Sequence, residues 1–374
     1  MNCLYLHIPF CRSKCLYCSF SSFSGLESLH QRYCEALKQE IRAINSEACA
    51  PLDSVFIGGG TPTVLEPSQL DSILACCRET LGLAPDAEIS LEANPGTLDY
   101  DDLHSLRQSG FNRISFGVQS FDDRELQGLG RLHTGEEARR VVEDARRAGF
   151  DNLSLDLMYG LPEQSCESWQ DSLEQALALE PEHLSAYQLS VDEGTVFYDR
   201  AATGTLNLPG EAYIEQMDRL TVEFCRAAGL AQYEISNFAR PGYGCRHNLN
   251  YWRNEAYQAC GAGAVSYVEG VRAKRQSEPL QYCRQVEQGG VLFEDSEELE
   301  PHASFRESVV MGLRLLDGIS EARLEKRYGL QFGEVYPREL TELVKQGLLL
   351  RETGRIALSE KGRQLANQVM ALLV

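Results

Sequence analysis

Residues 4–20 read LYLHIPFCRSKCLYCSF. An apolar run, Leu4–Ile8, reads as a strand, and three cysteines follow it within eight residues: Cys11, Cys15 and Cys18, spaced C-x3-C-x2-C. Three closely spaced thiolates can hold three irons of a 4Fe–4S cluster and leave the fourth iron open. An open iron is a chemical site, whereas a fully ligated one only carries electrons. Two other readings stand beside this one. A structural zinc site takes four protein ligands, so His30 or Cys34 would have to complete it, and no second C-x-x-C knuckle is present. A disulfide would leave one of the three cysteines unpaired.

Outward from this stretch, apolar runs recur at Ser54–Ile57, Glu88–Leu91, Arg113–Val118, Leu153–Met158 and His183–Leu189. Amphipathic stretches separate them, from Leu29 to Ile44, Pro67 to Leu81, Leu103 to Ser109, Glu136 to Ala148 and Ser168 to Leu179. Strand–helix alternation of this kind implies parallel strands with helices outside. Six repeats predict an α/β fold with a partial (β/α)6 barrel, curved but not closed. A full eight-stranded barrel and an open doubly wound sheet also fit the pattern alone. Polar or glycine-rich residues stand where each strand ends. The cysteines follow the first strand, Gly58-Gly59-Gly60-Thr61-Pro62 the second; Glu92 and Asn94 end the third, Gln119 the fourth, and Asp156 sits late in the fifth. In barrels, residues at the C-terminal strand ends converge on one active site.

The alternation breaks down from about Leu189 to Gln288. Residues 1–200 form the expected barrel and 201–300 an extension. The extension carries a helix near 212–228 and a loop, RPGYGCRHNLNYW, dense in glycine and aromatics. An acidic run, EDSEELE at 294–300, reads as a linker or solvated loop. Residues 301–374 form a small C-terminal α+β domain: helical patterns at Ser320–Tyr328 and Tyr336–Gln346 precede short strands Leu348–Glu352 and Arg355–Leu358. That order resembles a winged helix. Eleven Lys and Arg against nine Asp and Glu give it a net charge of +2. A DNA-reading wing is normally more basic, which favours a packing or lid role.

The whole chain of 374 residues carries a formal net charge of −20. Such a charge opposes phosphate backbones and anionic membrane surfaces, so no nucleic-acid partner is expected. No apolar run approaches the roughly 18 residues of a membrane span, and the N-terminus has no signal-peptide pattern. Thirteen cysteines without an export signal point to a reducing cytoplasm.

The glycines of GGGTPT at 58–63 let a backbone approach a ligand without Cβ in the way, a weak signal alone. Glu92 and Asp156 could accept hydrogen bonds from a ligand's ammonium and hydroxyl groups. They could equally cap helices or pair with Arg113 or Arg131. Arg131 suits a carboxylate through its planar fork. With these residues in view, the cysteine spacing resembles that of the radical S-adenosylmethionine (SAM) superfamily, where SAM occupies the open iron. Tyr17 stands where that superfamily has an aromatic packing on the adenine. LYLHIPFCRSKCLYCSF, IGGGTPT, LEANPGT, RISFGVQSF, LGRLHT and LDLMYGLP, spread over residues 4–162, are similar to the family of the oxygen-independent coproporphyrinogen III oxidase. The resemblance implies SAM contacts at Tyr5, Gly59, Gly60, Thr61, Glu92, Gln119, Arg131 and Asp156, and reductive cleavage of SAM by an electron from a donor such as a flavodoxin or ferredoxin.

Two branches of that family differ. The true oxidase has a further cysteine two positions after the third cluster cysteine, where this chain has Phe20, and a long arm ahead of the motif, where this chain begins ten residues before Cys11. A second branch, of heme chaperones, carries an H-N-x-x-Y-W motif, here His247-Asn248-Leu249-Asn250-Tyr251-Trp252. That resemblance implies heme as a bound cofactor, apo-hemoproteins as acceptors, and a homodimer as one assembly. It makes His247 the candidate heme ligand, with Tyr251 and Trp252 stacking on the porphyrin. A histidine hydrogen-bonded inside a loop is the alternative, and Cys245 is a rival ligand. The competing activities are oxidative decarboxylation of coproporphyrinogen III and radical methylation or opening of heme.

Overall fold

The computed structural model describes residues 2–44, 50–290 and 293–374. Six strands lie side by side in chain order and parallel: β1 (Cys3–Ile8), β2 (Leu52–Gly59), β3 (Leu83–Ala93), β4 (Arg113–Gln119), β5 (Leu153–Tyr159) and β6 (His183–Gln188). This sequential order is that of a partial barrel and excludes the doubly wound alternative, in which strand order reverses at a switch point. The helices between them include α1 (His30–Ala43), α2 (Pro67–Leu81), α3 (Tyr100–Ser109), α4 (Asp123–Leu129), α5 (Gly135–Arg147) and α6 (Cys166–Ala178). Side chains of Asp99, Asp122, Thr134 and Ser165 cap α3 to α6 by accepting from first-turn amides.

The register sorts the strand residues onto two faces. Leu4, Leu6, Val55, Ile57, Leu91, Ile114, Phe116 and Leu155 point outward, fully buried against the helices. Each such side chain contributes about 1.5–3 kcal/mol by leaving water. The inward face alternates with them and is largely polar: Tyr5 and His7, Ser54 and Phe56, Glu88, Ser90 and Glu92, Arg113 and Ser115, Ser154 and Asp156. The runs that read as uniformly apolar are therefore two-faced, and the barrel interior is a polar chamber.

The segment after residue 200 is not a separate layer. After α7 (Val196–Ala202) and α8 (Glu211–Ala227), strands β7 (Ala231–Glu234) and β8 (Asn237–Ala239) extend the sheet antiparallel beyond β6. Helix α9 (Arg246–Trp252) follows, and β9 (Gln258–Cys260) pairs parallel with β1 at the other edge. The acidic run is also not a loop. Phe293–Glu298 is an exposed strand, antiparallel to Val271–Arg275. Cations on its neighbour hold it there: Lys274 Nζ lies 3.4 Å from Glu294, and the Arg275 guanidinium sits over the Phe293 ring. Its carboxylates guard an open sheet edge against further pairing.

The C-terminal domain has its own core around Phe305, Leu343 and Ile356. Its three-stranded sheet is ordered Ile319–Ser320, Arg355–Leu358, Leu349–Glu352, with helices Glu321–Tyr328 and Glu339–Lys345 packed beside it. The wing hairpin turns through Thr353 and Gly354, both left-handed at φ 50° and 74°.

Candidate functional site

The cysteine loop leaves β1 at the C-terminal mouth of the barrel and is pinned at several points. The Leu16 N–H donates to the Leu129 carbonyl at 3.0 Å, and the Phe197 N–H to the Leu16 carbonyl at 3.1 Å. Leu16 and Tyr17 pack against buried Leu129, Leu161, Leu189 and Phe197. This places Cys11, Cys15 and Cys18, all unoxidised and partly exposed, on one loop. Burial raises the Cys18 thiol, and the nearness of Cys15 and Cys11 adds to the shift. Among the described residues no three His, Cys, Asp or Glu side chains converge as ligands of a single ion would. Three neighbouring thiolates that each serve a separate iron do not need that convergence. Cys34 is enclosed in the core and His30 packs on Phe10, ring centroids 4.5 Å apart, so neither stands ready as a fourth zinc ligand.

The glycines act on this loop directly. A Cβ on Gly60 would lie 2.5 Å from the Phe10 carbonyl oxygen and 3.0 Å from Cys11 Sγ; on Gly59, at φ 118°, it would lie 2.6 Å from the His7 ring. Only glycine lets β2 pass so close to the cysteine loop. Thr61 Oγ1 lies 3.6 Å from Cys11 Sγ and accepts from Asn94 Nδ2 at 2.9 Å. Asn94 Oδ1 in turn accepts from Arg131 Nη2 at 2.7 Å, and Arg131 Nη1 reaches Cys15 Sγ at 3.6 Å. A ring of contacts thus runs Cys11–Thr61–Asn94–Arg131–Cys15. Asn94 is its hub, a role the sequence signals only by its place at the end of β3.

Gln119 sits at φ 68°, with the Ser120 N–H closing onto the Val118 carbonyl at 2.9 Å around it. A left-handed non-glycine costs about 1–3 kcal/mol and persists where its surroundings impose it. Here the β4–β5 register shifts between Gly117 and Gln119. The shift ends the strand and turns the amide toward Gly117, where an added Cβ would lie 3.1 Å from Gln119 Nε2.

The two carboxylates stand deeper in the chamber. Glu92 Oε2 accepts from the Gly59 N–H at 3.0 Å. Desolvation pushes its pKa up to about 7, with the Asp156 charge adding to the rise; the Gly59 N–H and Arg113 oppose it. Asp156 accepts from Ser115 Oγ at 3.0 Å and Ser154 Oγ at 3.3 Å, and burial raises its pKa too. A buried, half-neutral carboxyl group facing Asp156, Arg113 and Tyr5 is poised to ionise when a cation enters. For the SAM that the resemblance implies as ligand, affinity is expected to rise by up to about tenfold per pH unit approaching 7 from below, then to level off. Binding should release a proton, and Glu92→Gln should flatten the profile. Calorimetric titration of SAM across that range, in buffers of different ionisation heat, checks this; a pH-independent wild type sinks it.

The HNxxYW segment lies at the opposite end of the barrel. Its helix α9 plugs the floor: Glu88, at the N-terminal part of β3, accepts from the amides of Arg246 and His247 at 2.9 and 3.1 Å. His247 is 1% exposed. Its Nδ1 pairs with Ser54 Oγ and its Nε2 with Tyr251 Oη, both at 2.8 Å. Burial, then the Arg113 charge, lowers its pKa to about 3. In this conformation both ring nitrogens of His247, the expected heme ligand, are engaged within the floor. Cys245 is also enclosed, with Sγ 3.5 Å from Glu88, and burial pushes its thiol up to about 12. Tyr251 is committed to His247 and, edge-on, to Tyr257. Trp252 lines a cavity.

Residues 5–176 match the model of the radical SAM superfamily, and residues 299–365 that of the HemN C-terminal domain. The chain is 37% identical to the heme chaperone HemW of Bacillus subtilis, over 99% of this chain and 98% of that one. It is 36% identical to the heme chaperone HemW of Escherichia coli, over 99% and 97%. Among solved structures, the coproporphyrinogen III oxidase HemN of Escherichia coli, a radical SAM enzyme, superposes with a TM-score of 0.86 at 27% identity, covering 100% of this chain and 89% of that one.

Proposed function

The chain belongs to the radical SAM superfamily and, within it, to the family of the heme chaperones HemW, and from that premise we propose that it binds heme and delivers it to apo-hemoproteins. The observation that carries this reading is the full-length similarity to proteins of that name, on a chain whose barrel mouth groups the three cysteines with the glycine ridge and Arg131.

The mouth fits a 4Fe–4S cluster held by Cys11, Cys15 and Cys18. Bound there with SAM, the cluster would supply an open iron and single-electron chemistry. The chain's own residues do the rest. Arg131 lies against Cys15 and would offset thiolate charge. Gly59, Gly60 and Thr61 present backbone close to the loop, Glu92 and Asp156 accept from an ammonium and hydroxyl groups, Gln119 offers its amide, and Tyr17 and Tyr5 flank the chamber. The electron would come from a flavodoxin or ferredoxin. The unoxidised thiols of the described cysteines fit a cytoplasmic setting, and no described helix is long and apolar enough to cross a membrane.

The position occupied in the oxidase branch by a fourth cysteine is Phe20, 68% exposed at the mouth. The test is anaerobic. The reconstituted protein is mixed with heme and its absorption followed, then an apo-hemoprotein is added, while a parallel sample receives coproporphyrinogen III, SAM and reductant. A stoichiometric Soret shift that migrates to the acceptor, without decarboxylation, is the expected result. Protoporphyrinogen in the parallel sample would return the chain to the oxidase branch.

A further inference from the structure

A cavity of about 340 Å³ opens between α9, the β7–β8 edge of the barrel sheet and the C-terminal domain. Its wall carries five arginines, Arg240, Arg253, Arg323, Arg327 and Arg355, against one carboxylate, Asp317. In a chain of net charge −20 this is a local reversal of sign, and such a reversal in a concave site concentrates anions. Part of the positive charge is committed. Arg355 donates to the carbonyls of Asp317 and Gly318, Arg240 to that of Pro181, and Arg323 pairs with Glu255. Arg253 and Arg327 form no salt bridge among the described residues. Burial, then the charges of Arg253 and Arg327, lowers the Arg323 pKa, which marks three cations crowded together.

The remaining wall is apolar, with Trp252, Leu249, Ile319 and Leu324 contributing to it. Trp252 is held by the Arg314 guanidinium, 4.4 Å from its ring centroid. The indole Nε1 is buried and has no partner among the described residues. An orphaned buried donor calls for an acceptor that the protein itself does not supply.

We propose that this cavity holds a flat, dianionic tetrapyrrole, with the macrocycle against Trp252 and Leu324 and its two carboxylates on Arg253 and Arg327. The proposal rests on the heme-chaperone reading and gives that reading a place. It also accounts for the motif around α9: His247 fixes the helix from within, and Trp252 at its far end faces the cargo.

The test uses the full-length, cluster-reconstituted protein and heme titrations read at the Soret band. Wild type is compared with the double variant Arg253→Glu, Arg327→Glu, whose side chains are both exposed. Heme is compared with the same iron porphyrin esterified at both propionates. Loss of charge-assisted hydrogen bonds should raise the heme dissociation constant about tenfold or more in the variant. The ester should bind wild type about as weakly as heme binds the variant, and should be indifferent to the substitutions. Heme binding within about twofold of wild type in a folded variant would overturn the cavity assignment, as would tight binding of the ester, an arm that needs no substitution. Failure of wild type to bind heme at all would overturn the chaperone reading itself.

Discussion

Replacing Cys15 with alanine is expected to strip the protein of iron. Cys15 lies on the pinned loop, its sulfur is within reach of Arg131 Nη1, and its carbonyl accepts from the Cys18 N–H at 3.2 Å. It therefore sits at the centre of the triplet. With one of three thiolates gone, a cubane loses a corner ligand, and iron after anaerobic reconstitution should fall to background, with the visible cluster absorption and SAM binding lost together. Stability of the iron-free chain should change by no more than about 0.5 kcal/mol, the usual scale for a partly exposed loop side chain. Cys34→Ala is the mirror experiment. That thiol is 1% exposed in the core, so its loss should cost about 1 kcal/mol and leave the iron content intact. Iron analysis and denaturant melts of both variants separate the two roles. Wild-type iron in the Cys15 variant would remove this residue from the metal centre.

The second large effect is expected at the other end of the barrel. His247→Ala should destabilise the heme-free protein by about 2–4 kcal/mol, because a fully packed ring is removed and two buried hydroxyls lose their partner. Ser54 is 0% exposed. A residue whose only task was to ligate heme would leave the heme-free chain unaltered, so a wild-type melting curve would sink this reading. The pH dependence carries a second signature. The folded-state pKa of His247 is depressed to about 3, so its neutral form is the one the fold stabilises. That contribution is complete above about 6.5, the unfolded value, and shrinks as pH falls from there toward the folded value. Wild type and variant should converge on acidification.

Much of this was legible in the residues. The six parallel strands and their helices follow from alternating patterns, and the cysteine triplet stands out by its spacing. Glu92, Gln119 and Asp156 were legible as site candidates because strand ends in a sequential barrel point to one mouth. What stayed hidden has a common cause. β7, β8 and β9 are three or four residues long, too short to show a period, and the pairings that join them to the barrel, β8 with β6 and β9 with β1, are remote in sequence. Phe293–Glu298 reads as solvated because every residue in it is exposed; its strand character comes from Val271–Arg275 beside it. The burial of His247 is likewise a tertiary property: nothing in HNLNYW tells that Ser54 and Glu88 would enclose it. The five-arginine cavity draws on β8, α9 and the C-terminal domain, and no local window contains it.

The pairing of β9 with β1 has a consequence for how the protein is made. The cysteine loop leaves the ribosome well before its anchors, Leu129, Arg131 and Phe197, which come more than a hundred residues later, and the strand that completes β1 comes last of the barrel. At about 5–20 residues per second, the loop waits roughly 10–50 s before the sheet that shapes it can close. Throughout that interval the three thiols belong to an unstructured nascent chain. The anchored geometry of the loop is thereby available only after translation of the barrel, and until then its thiols are open to oxidants.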